Sequence, residues 1–359
     1  MEELRKEFPV LSRYTYLNTP SCGLISKSLN EWRSTHDRSL LEEASIFRDA
    51  HKTHIKEIKS TVGRFFNASE GDVALIPNFT LGLNMLLDGL PKGSRILLLD
   101  KDYPSINWAV EYRDFEIFYA SIDQNLEANI EQAVMHHQPD VFVFSMVQYL
   151  NGIKIDALFL DQLKAYHPNL LLIADGTQYL GTELFNFSES ALDVMLASTY
   201  KWLISGYGNA FMIIKDDAKQ RITPRSIGFN SADGIFDSRD EISYIKYFEP
   251  GHQDTLNFGS LKFSLEWMEG CGVKHIAETN GELIRNAKEV FSEMGLLETS
   301  VQNRKEHSTI FNLNAGEVVF QKLRERRIIC SQRAGGIRVG FHFYNTADDL
   351  NRLIDALRS

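Results

Sequence analysis

The chain has 359 residues, of which 43% are hydrophobic and 24% charged, the proportions of an ordinary globular protein. This much apolar material can bury a sizeable core, which excludes an intrinsically disordered chain and a small disulfide-stapled domain. Because 38 Lys and Arg residues face 48 Asp and Glu residues, the formal net charge is −10, and we expect no nucleic-acid partner.

Cysteine usage and hydropathy give no sign of export or of a membrane span. The three cysteines, Cys22, Cys271 and Cys330, are far apart and show no metal-binding spacing, so we expect no disulfide framework and no metal site. The opening MEELRKEFPV lacks an apolar signal region, and the longest apolar stretches, such as Val141–Val147, are too short to cross a bilayer. These features predict a cytoplasmic protein without membrane contact.

The predicted elements change from helices to alternating strands and helices along the chain. Residues 1–13 predict a short amphipathic helix, and residues 27–66 predict a helical region. Short apolar runs separated by helix-like stretches then predict strands buried on both faces: Val73–Ile76, Ile96–Leu99, Phe115–Tyr119, Val141–Phe144, Leu170–Ala174, Val194–Ala197 and Ala210–Ile214. This alternation indicates an α/β fold with a mostly parallel sheet.

The pattern of predicted strands and helices changes after about residue 255. Residues 260–295 predict two helices, residues 308–345 predict short strands with a helix near Val318–Arg326, and Thr346 can cap a final amphipathic helix. We expect a large α/β domain of residues 15–265 and a smaller α/β domain formed by residues 1–14 and 266–359.

Four features that suggest chemistry follow the predicted strands, where an open parallel sheet binds its ligands. Asp175 follows the fifth apolar run, and Lys201 follows the sixth, 26 residues later. Thr80 lies where a helix begins after the first run, and free amides there can bind an anion. Tyr103 follows the second run and could stack on a flat ring.

Each of these residues has an ordinary explanation when it is taken alone, as a turn or capping residue or a solvated lysine. Together they suit pyridoxal phosphate (PLP): the amine forms a Schiff base, the carboxylate keeps the pyridine nitrogen protonated, and the helix N-terminus holds the phosphate. The fingerprints of dinucleotide-binding proteins, P-loop NTPases, HExxH metalloproteases and GxSxG hydrolases are absent from the sequence.

Three segments carry a resemblance to a known family: ADGTQ (Ala174–Gln178), STYKW (Ser198–Trp202) and IRVGFHFYNT (Ile337–Thr346). Their order and spacing resemble the class V aminotransferase family of fold-type I PLP-dependent enzymes, which includes cysteine desulfurases, isopenicillin N epimerase-like proteins and kynureninases. The resemblance implies a large domain with a mostly parallel sheet, a smaller C-terminal α/β domain, PLP as cofactor, a small amino acid as substrate and a homodimer.

The resemblance also implies roles for individual residues. Lys201 would be the catalytic Schiff-base lysine and Asp175 the partner of the pyridine nitrogen, while Arg338, with Asn18 nearby, would bind the substrate carboxylate. An arginine fork suits that task, although a surface pair of Arg338 with Asp348 or Asp349 is the alternative. The remaining implied cofactor-binding residues are Thr80, Leu81, Tyr103, Gln178, Ser198, Tyr200, His252 and Gln253, the last two facing the partner subunit's phosphate.

The sequence departs from the family pattern at three places. Tyr200 stands where many relatives carry histidine, and Gly251–Asp254 replaces a Gly-Thr pair. The stretch before Arg338 lacks the cysteine-bearing loop of cysteine desulfurases. We expect Cys330 to be a small apolar core residue. Cys22 lies in a segment that can border the active site in relatives. We therefore expect an aminotransferase first, an epimerase or lyase second, a desulfurase third, and a non-catalytic relative last.

Overall fold

A seven-stranded sheet forms the centre of the structure, a computed structural model that describes residues 2–358. The strands are β1 (Thr15–Tyr16), β2 (Val73–Ile76), β3 (Arg95–Leu99), β4 (Glu116–Ala120), β5 (Val141–Ser145), β6 (Leu171–Asp175), β7 (Val194–Ser198), β8 (Ala210–Ile214), β9 (Ile310–Leu313), β10 (Ile328–Ile329), β11 (Ser331–Arg333) and β12 (Gly336–Gly340). The helices are α1 (Glu2–Arg5), α2 (Lys27–Glu43), α3 (Ser45–Asp49), α4 (His51–Phe66), α5 (Phe79–Leu87), α6 (Pro104–Glu111), α7 (Leu126–His137), α8 (Ala157–Tyr166), α9 (Asp216–Lys219), α10 (Thr255–Cys271), α11 (Val273–Glu293), α12 (Thr299–Gln302), α13 (Glu317–Glu325) and α14 (Ala347–Arg358).

The central sheet has the order β2-β8-β7-β6-β5-β3-β4. Strands β3 to β7 run parallel, and β8 is antiparallel to both of its neighbours, β2 and β7. The predicted α/β class with a mostly parallel sheet is therefore confirmed. The carboxyl ends of β3, β5, β6 and β7 lie along one edge, where polar residues that follow these strands can meet.

Alternate residues of each inner strand enter apolar layers on opposite faces of the sheet. Leu97 and Phe142 belong to one layer, and Ile96 and Val141 belong to the other. The two-sided burial predicted for every strand is wrong for β4, whose burial is largely partial. This strand lies at the sheet edge and pairs only with β3, so part of it faces solvent.

The C-terminal part holds a three-stranded antiparallel sheet in the order β11-β12-β9, and β1 pairs in parallel with β10. The N-terminus packs there: the Phe8 ring lies 5.2 Å from that of Tyr344, and Arg5 Nη1 lies 2.8 Å from Asp349 Oδ2. These contacts support assigning residues 1–14 to the smaller unit, and the division into domains stays a prediction.

One helix prediction is corrected, and a second is confirmed with two breaks. Residues 1–13 do not form one helix, because α1 ends at Arg5 and a separate 3-10 turn begins at Pro9, whose ring fixes φ and removes an N–H donor. The helical region 27–66 is three helices, since Ala44 adopts a positive φ of 48° after α2 and Ala50 separates α3 from α4. Among residues 2–358, no helix is both long and apolar enough to cross a membrane.

Candidate active site

Lys201 and Asp175 lie at the carboxyl edge of adjacent parallel strands. Asp175 ends β6 and Lys201 comes three residues after β7, and the two side chains interact electrostatically. Asp175 is 6% exposed and Lys201 is 7% exposed. Within residues 2–358 the Lys201 amine has no hydrogen-bonding partner, whereas Asp175 Oδ1 accepts a 2.8 Å bond from the Thr177 amide. A buried amine without an acceptor is available to react.

Burial shifts the pKa values of this pair toward the neutral forms. Desolvation lowers the pKa of Lys201, and the positive charges of Arg338 and Arg333 lower it further, although Asp175 opposes them. Desolvation raises the pKa of Asp175, against the effect of hydrogen bonds from Thr177 and the charge of Lys201. Shifts of this kind, in a pair at the edge of the sheet, are typical of active sites.

Two tyrosine rings lie near the Lys201 amine, and a further tyrosine packs on each of them. Its nitrogen lies 5.9 Å from the ring centre of Tyr103 and 5.6 Å from that of Tyr200. Tyr149 meets Tyr103 edge to face at 5.3 Å, and Tyr207 stacks on Tyr200 at 4.4 Å. Tyr149 and Tyr207 are neighbours that the sequence interpretation missed, because their positions depend on loops whose course the residue pattern does not predict.

Asp102, a fully buried carboxylate that the sequence interpretation also missed, holds Tyr103 in place. Its Oδ1 accepts a 2.6 Å bond from the Tyr103 amide, and its Oδ2 accepts a 2.7 Å bond from the Ser145 amide. The carboxylate thereby links the ends of β3 and β5. The available signal was its position directly before Tyr103, three residues after the apolar run that ends at Leu99.

The N-terminus of α5 lies against the end of β7. Ser198 Oγ accepts a 2.9 Å bond from the Phe79 amide, and Thr80 Oγ1 lies 3.0 Å from Ser105 Oγ. The Leu81 amide donates a 2.9 Å bond to Asn78 Oδ1, which caps the helix, so it is already partnered in the described chain. The Thr80 amide donates no hydrogen bond within residues 2–358, so this N-terminus keeps a donor and two hydroxyls.

The segment from Asn18 to Gly23 packs directly on the Lys201 loop. Gln178 Nε2 donates a 3.0 Å bond to the Pro20 carbonyl, and the Gly23 amide donates a 3.0 Å bond to the Tyr200 carbonyl. A Cβ atom on Gly23 would collide with the Lys201 carbonyl oxygen, so this close approach requires glycine. The Asn18 side-chain oxygen is buried and has no partner in the described chain.

Arg338 is buried next to the segment from Asn18 to Gly23, with 3% of its surface exposed. Its Nη1 donates a 2.7 Å bond to the Tyr149 carbonyl and its Nη2 donates a 2.6 Å bond to Ser21 Oγ, while its Nε has no partner within residues 2–358. The surface pair considered above does not form, because Asp349 binds Arg5 instead. A buried guanidinium without a carboxylate partner is suited to an incoming anion.

Two of the three cysteines are unsuited to nucleophilic chemistry. Burial raises the pKa of Cys330 to about 12 and that of Cys271 to about 11, which disfavours the reactive thiolate. Cys22 is half-buried near the site, and its carbonyl accepts a 2.7 Å bond from the Tyr16 hydroxyl.

His252 and Gln253 lie outside this cluster. His252 is exposed, and Gln253 Nε2 lies 3.4 Å from the Leu75 carbonyl. The other predicted residues lie along one edge of the sheet and on the segments packed against it: Asn18, Thr80, Leu81, Tyr103, Asp175, Gln178, Ser198, Tyr200, Lys201 and Arg338. The part of the chain that the structure describes contains no cluster of His, Cys, Asp or Glu placed to hold a metal ion.

Residues 25–353 match the family model described as aminotransferase class-V. The chain belongs to this family. The assignment confirms the resemblance drawn from the three motifs, and because the family is PLP-dependent it also confirms the predicted cofactor at the level of the family.

Similar proteins cover nearly the whole chain at low identity. The uncharacterized aminotransferase YcbU of Bacillus subtilis is 22% identical over 99% of this chain and 97% of its own length. A probable cysteine desulfurase of Ureaplasma parvum is 24% identical over 85% of this chain and 82% of its own length. A mutant of C-DES with glycine covalently linked to PLP has the same fold, with a TM-score of 0.87, 18% identity and 98% coverage of both chains.

The residues at the sheet edge fit a PLP molecule. PLP needs an amine, a carboxylate for the ring nitrogen and donors for the phosphate. Here Lys201 has a buried amine without an acceptor, Asp175 is a buried carboxylate, and the Thr80 amide and Ser198 hydroxyl lie at a helix N-terminus. The unpartnered Arg338 Nε leaves a donor for the substrate.

Proposed function

We propose that this protein is an aminotransferase that acts on a small amino acid and binds PLP through Lys201. The observation that carries the proposal is the amine of the buried Lys201, which has no hydrogen-bond acceptor. The charges of Asp175 and Arg338 both act on this amine. A lysine buried only for structural reasons would ordinarily be paired. The intact set of amine, carboxylate and guanidinium also argues against a non-catalytic relative.

When bound, PLP supplies an electron sink that weakens the Cα–H bond of an attached amino acid. Lys201 then acts as the base at Cα, because its lowered pKa increases the fraction of neutral amine near pH 7. The same nitrogen returns the proton to the cofactor's C4′ carbon. Tyr103 and Tyr200, within 6 Å of that nitrogen, exclude water from the path of the proton.

Asp175 holds the proton on the cofactor's ring nitrogen. Burial raises the pKa of this carboxyl, so a positive partner stabilises its anion. A protonated ring nitrogen supplies that partner, and the Thr177 amide, 2.8 Å from Oδ1, fixes the orientation of the carboxylate. Gln178 donates one Nε2–H to the Pro20 carbonyl, and its second Nε2–H would bind the ring's phenolic oxygen. Thr80, Ser198 and the α5 N-terminus would hold the phosphate.

Arg338 binds the α-carboxylate of the substrate through its unpartnered Nε and its outer donors. The bonds from its Nη atoms to Tyr149 and Ser21 keep the guanidinium plane fixed before the substrate arrives. The Asn18 side-chain oxygen, buried and unpartnered, is an acceptor at the same wall.

A homodimer completes the site in this proposal. His252 is exposed and Gln253 half-buried, and neither contacts the Lys201 cluster of its own chain. Both are therefore available to reach the partner subunit's phosphate, the role that the family resemblance implies. A cytoplasmic location remains a prediction from the sequence.

The products distinguish transamination from the other reactions that begin by removing the α-proton. A large amount of PLP-loaded enzyme is mixed with one amino acid at a time, and no amino-group acceptor is added. Transamination yields up to one equivalent of 2-oxo acid per subunit without free ammonia. Epimerisation yields the D-isomer, and elimination yields ammonia or sulfide with each turnover. The proposal fails if the 2-oxo acid never appears.

A further inference from the structure

A second arginine projects from the same surface as Arg338. Strands β11 and β12 form a hairpin in which Ser331 lies opposite Arg338 and Arg333 lies opposite Gly336. Opposed residues project from one face of a sheet, and so do residues two apart on a strand. Arg333 and Arg338 therefore share a face as diagonal neighbours, with Cβ atoms roughly 7–8 Å apart.

The other face of the hairpin is directed toward the core and α13, although Gln332 on this face stays exposed. Ile337 is fully buried in the core, and the Gln332 side chain bonds Glu317 at the start of α13. The face that carries the two arginines is consequently turned to the active site. Arg338 reaches Tyr149 there, and the charge of Arg333 acts on Lys201, Tyr149 and Arg338.

Arg333 is exposed and has no charged partner in the described chain. Within residues 2–358, no carboxylate lies within 4.0 Å of Arg333 or Arg338. For the buried Arg338 this is unusual, since most other buried or half-buried cations have one, such as Arg304 with Glu127 at 2.6 Å. Three cationic groups, Lys201, Arg333 and Arg338, thus converge on one wall. The α-carboxylate of a substrate would neutralise only one of them.

We propose that Arg333 binds a second carboxylate of the substrate, so that the enzyme acts on amino acids with an acidic side chain. The buried Arg338 takes the α-carboxylate and the exposed Arg333, at the mouth of the site, takes the carboxylate of the side chain. This proposal rests on the proposed function, since it assigns the substrate class of the same site. The two-residue turn Ala334–Gly335, with φ values of 48° and 77°, holds the arginines in a short hairpin.

The matched control for Arg333 is Arg324, an exposed arginine of α13, on the other side of the hairpin. The variants Arg333→Gln and Arg324→Gln make the same change of residue and charge. Both sites are exposed, so both variants should fold, and their melting temperatures check this.

Binding to the PLP-loaded enzyme is measured by calorimetry with succinate and glutarate and with butyrate as the single-carboxylate probe. In the wild type we expect at least one dicarboxylate to bind more tightly than butyrate. Arg333→Gln should lower this preference at least ~10-fold, the effect of losing one charge-assisted hydrogen bond, and Arg324→Gln should leave it unchanged. The proposal is overturned if the wild type shows no preference, or if Arg333→Gln weakens all probes equally.

A change of subunit dissociation in Arg333→Gln without a change of the dicarboxylate preference would also overturn it, because Arg333 would then pair with the partner subunit. The kcat/KM of the wild type for aspartate and glutamate against alanine separates the two proposals. Transamination of alanine alone contradicts the acidic substrate class and leaves the proposed function standing. Dicarboxylate preference with no transamination of any amino acid contradicts the proposed function alone.

Discussion

Arg338→Ala should weaken amino-acid binding at least ~10-fold while leaving PLP bound. Arginine has five N–H donors; in Arg338 one is held by the Tyr149 carbonyl, one by Ser21 Oγ, and Nε is unpartnered. A carboxylate on Nε and one outer donor makes two charge-assisted bonds, each worth roughly 1.5–3 kcal/mol. Losing one such bond corresponds to a factor of roughly 10 to 150 in Kd, and since the alanine variant loses both, ~10-fold is the least effect expected.

The assay is a titration of the bound cofactor's visible absorbance with alanine and with ethylamine, which lacks the carboxylate. Arg338→Ala should weaken the response to alanine and leave that to ethylamine nearly unchanged. Arg338→Lys keeps the charge but loses the planar fork, so it should fall between the wild type and the alanine variant.

Arg5→Ala is the matched control. Arg5 is partly buried, binds Asp349 Oδ2 at 2.8 Å and has no assigned ligand contact, so this variant should lower the melting temperature and preserve the preference for alanine over ethylamine. If Arg338→Ala weakens both ligands equally, or neither, Arg338 does not bind the carboxylate.

Three further predictions concern the cofactor, the cysteines and acid stability. Asp175→Asn should keep PLP bound but slow exchange of the substrate α-proton at least ~100-fold, the usual scale of an acid–base contribution; a wild-type exchange rate measured by NMR in D2O would refute the role of Asp175. Sulfide release from cysteine should be absent or marginal, and robust release that is lost in Cys22→Ser or Cys330→Ser would show that one of these thiols serves as the nucleophile. Burial lowers the pKa of His307 and of His342 to about 3 in the folded protein. In the unfolded chain each histidine has an ordinary pKa near 6.5, so on acidification the unfolded state takes up the protons first. Each histidine should therefore cost about 2 kcal/mol of folding stability between pH 7 and pH 5. Urea unfolding at the two pH values measures this loss, which His307→Gln should reduce; equal stability at both pH values would contradict it.

The sequence predicted the strands closely because nearly all of them are short apolar runs that the sheet buries, the edge strand β4 being the exception. The predicted strand Val141–Phe144 corresponds to β5 (Val141–Ser145). Asp175, at the end of β6, lies at the ligand-binding edge as expected from its position after an apolar run. Helix ends were harder to predict, since the break at Ala44 comes from a backbone conformation that its side chain does not demand.

The contacts that hold a site residue from distant parts of the chain could not be predicted, even where the residue itself was expected from the family resemblance. Arg338 is held by Tyr149 and Ser21, which are 189 and 317 positions away. Local pattern carries no information on such pairings. The Leu81 amide shows a related limit: the sequence placed it correctly at a helix N-terminus, but the neighbouring Asn78 side chain takes its hydrogen bond.

The most direct test of the account is to find which lysine carries the cofactor. The PLP-loaded protein is reduced with borohydride, digested, and mapped by mass spectrometry. Lys215 is the internal competitor, because it is half-buried and its pKa is also lowered by desolvation, but its amine bonds the Ser190 carbonyl at 2.5 Å. We predict the pyridoxyl mass on Lys201 and its loss in Lys201→Ala; a label on Lys215 or on any other lysine would contradict the central claim.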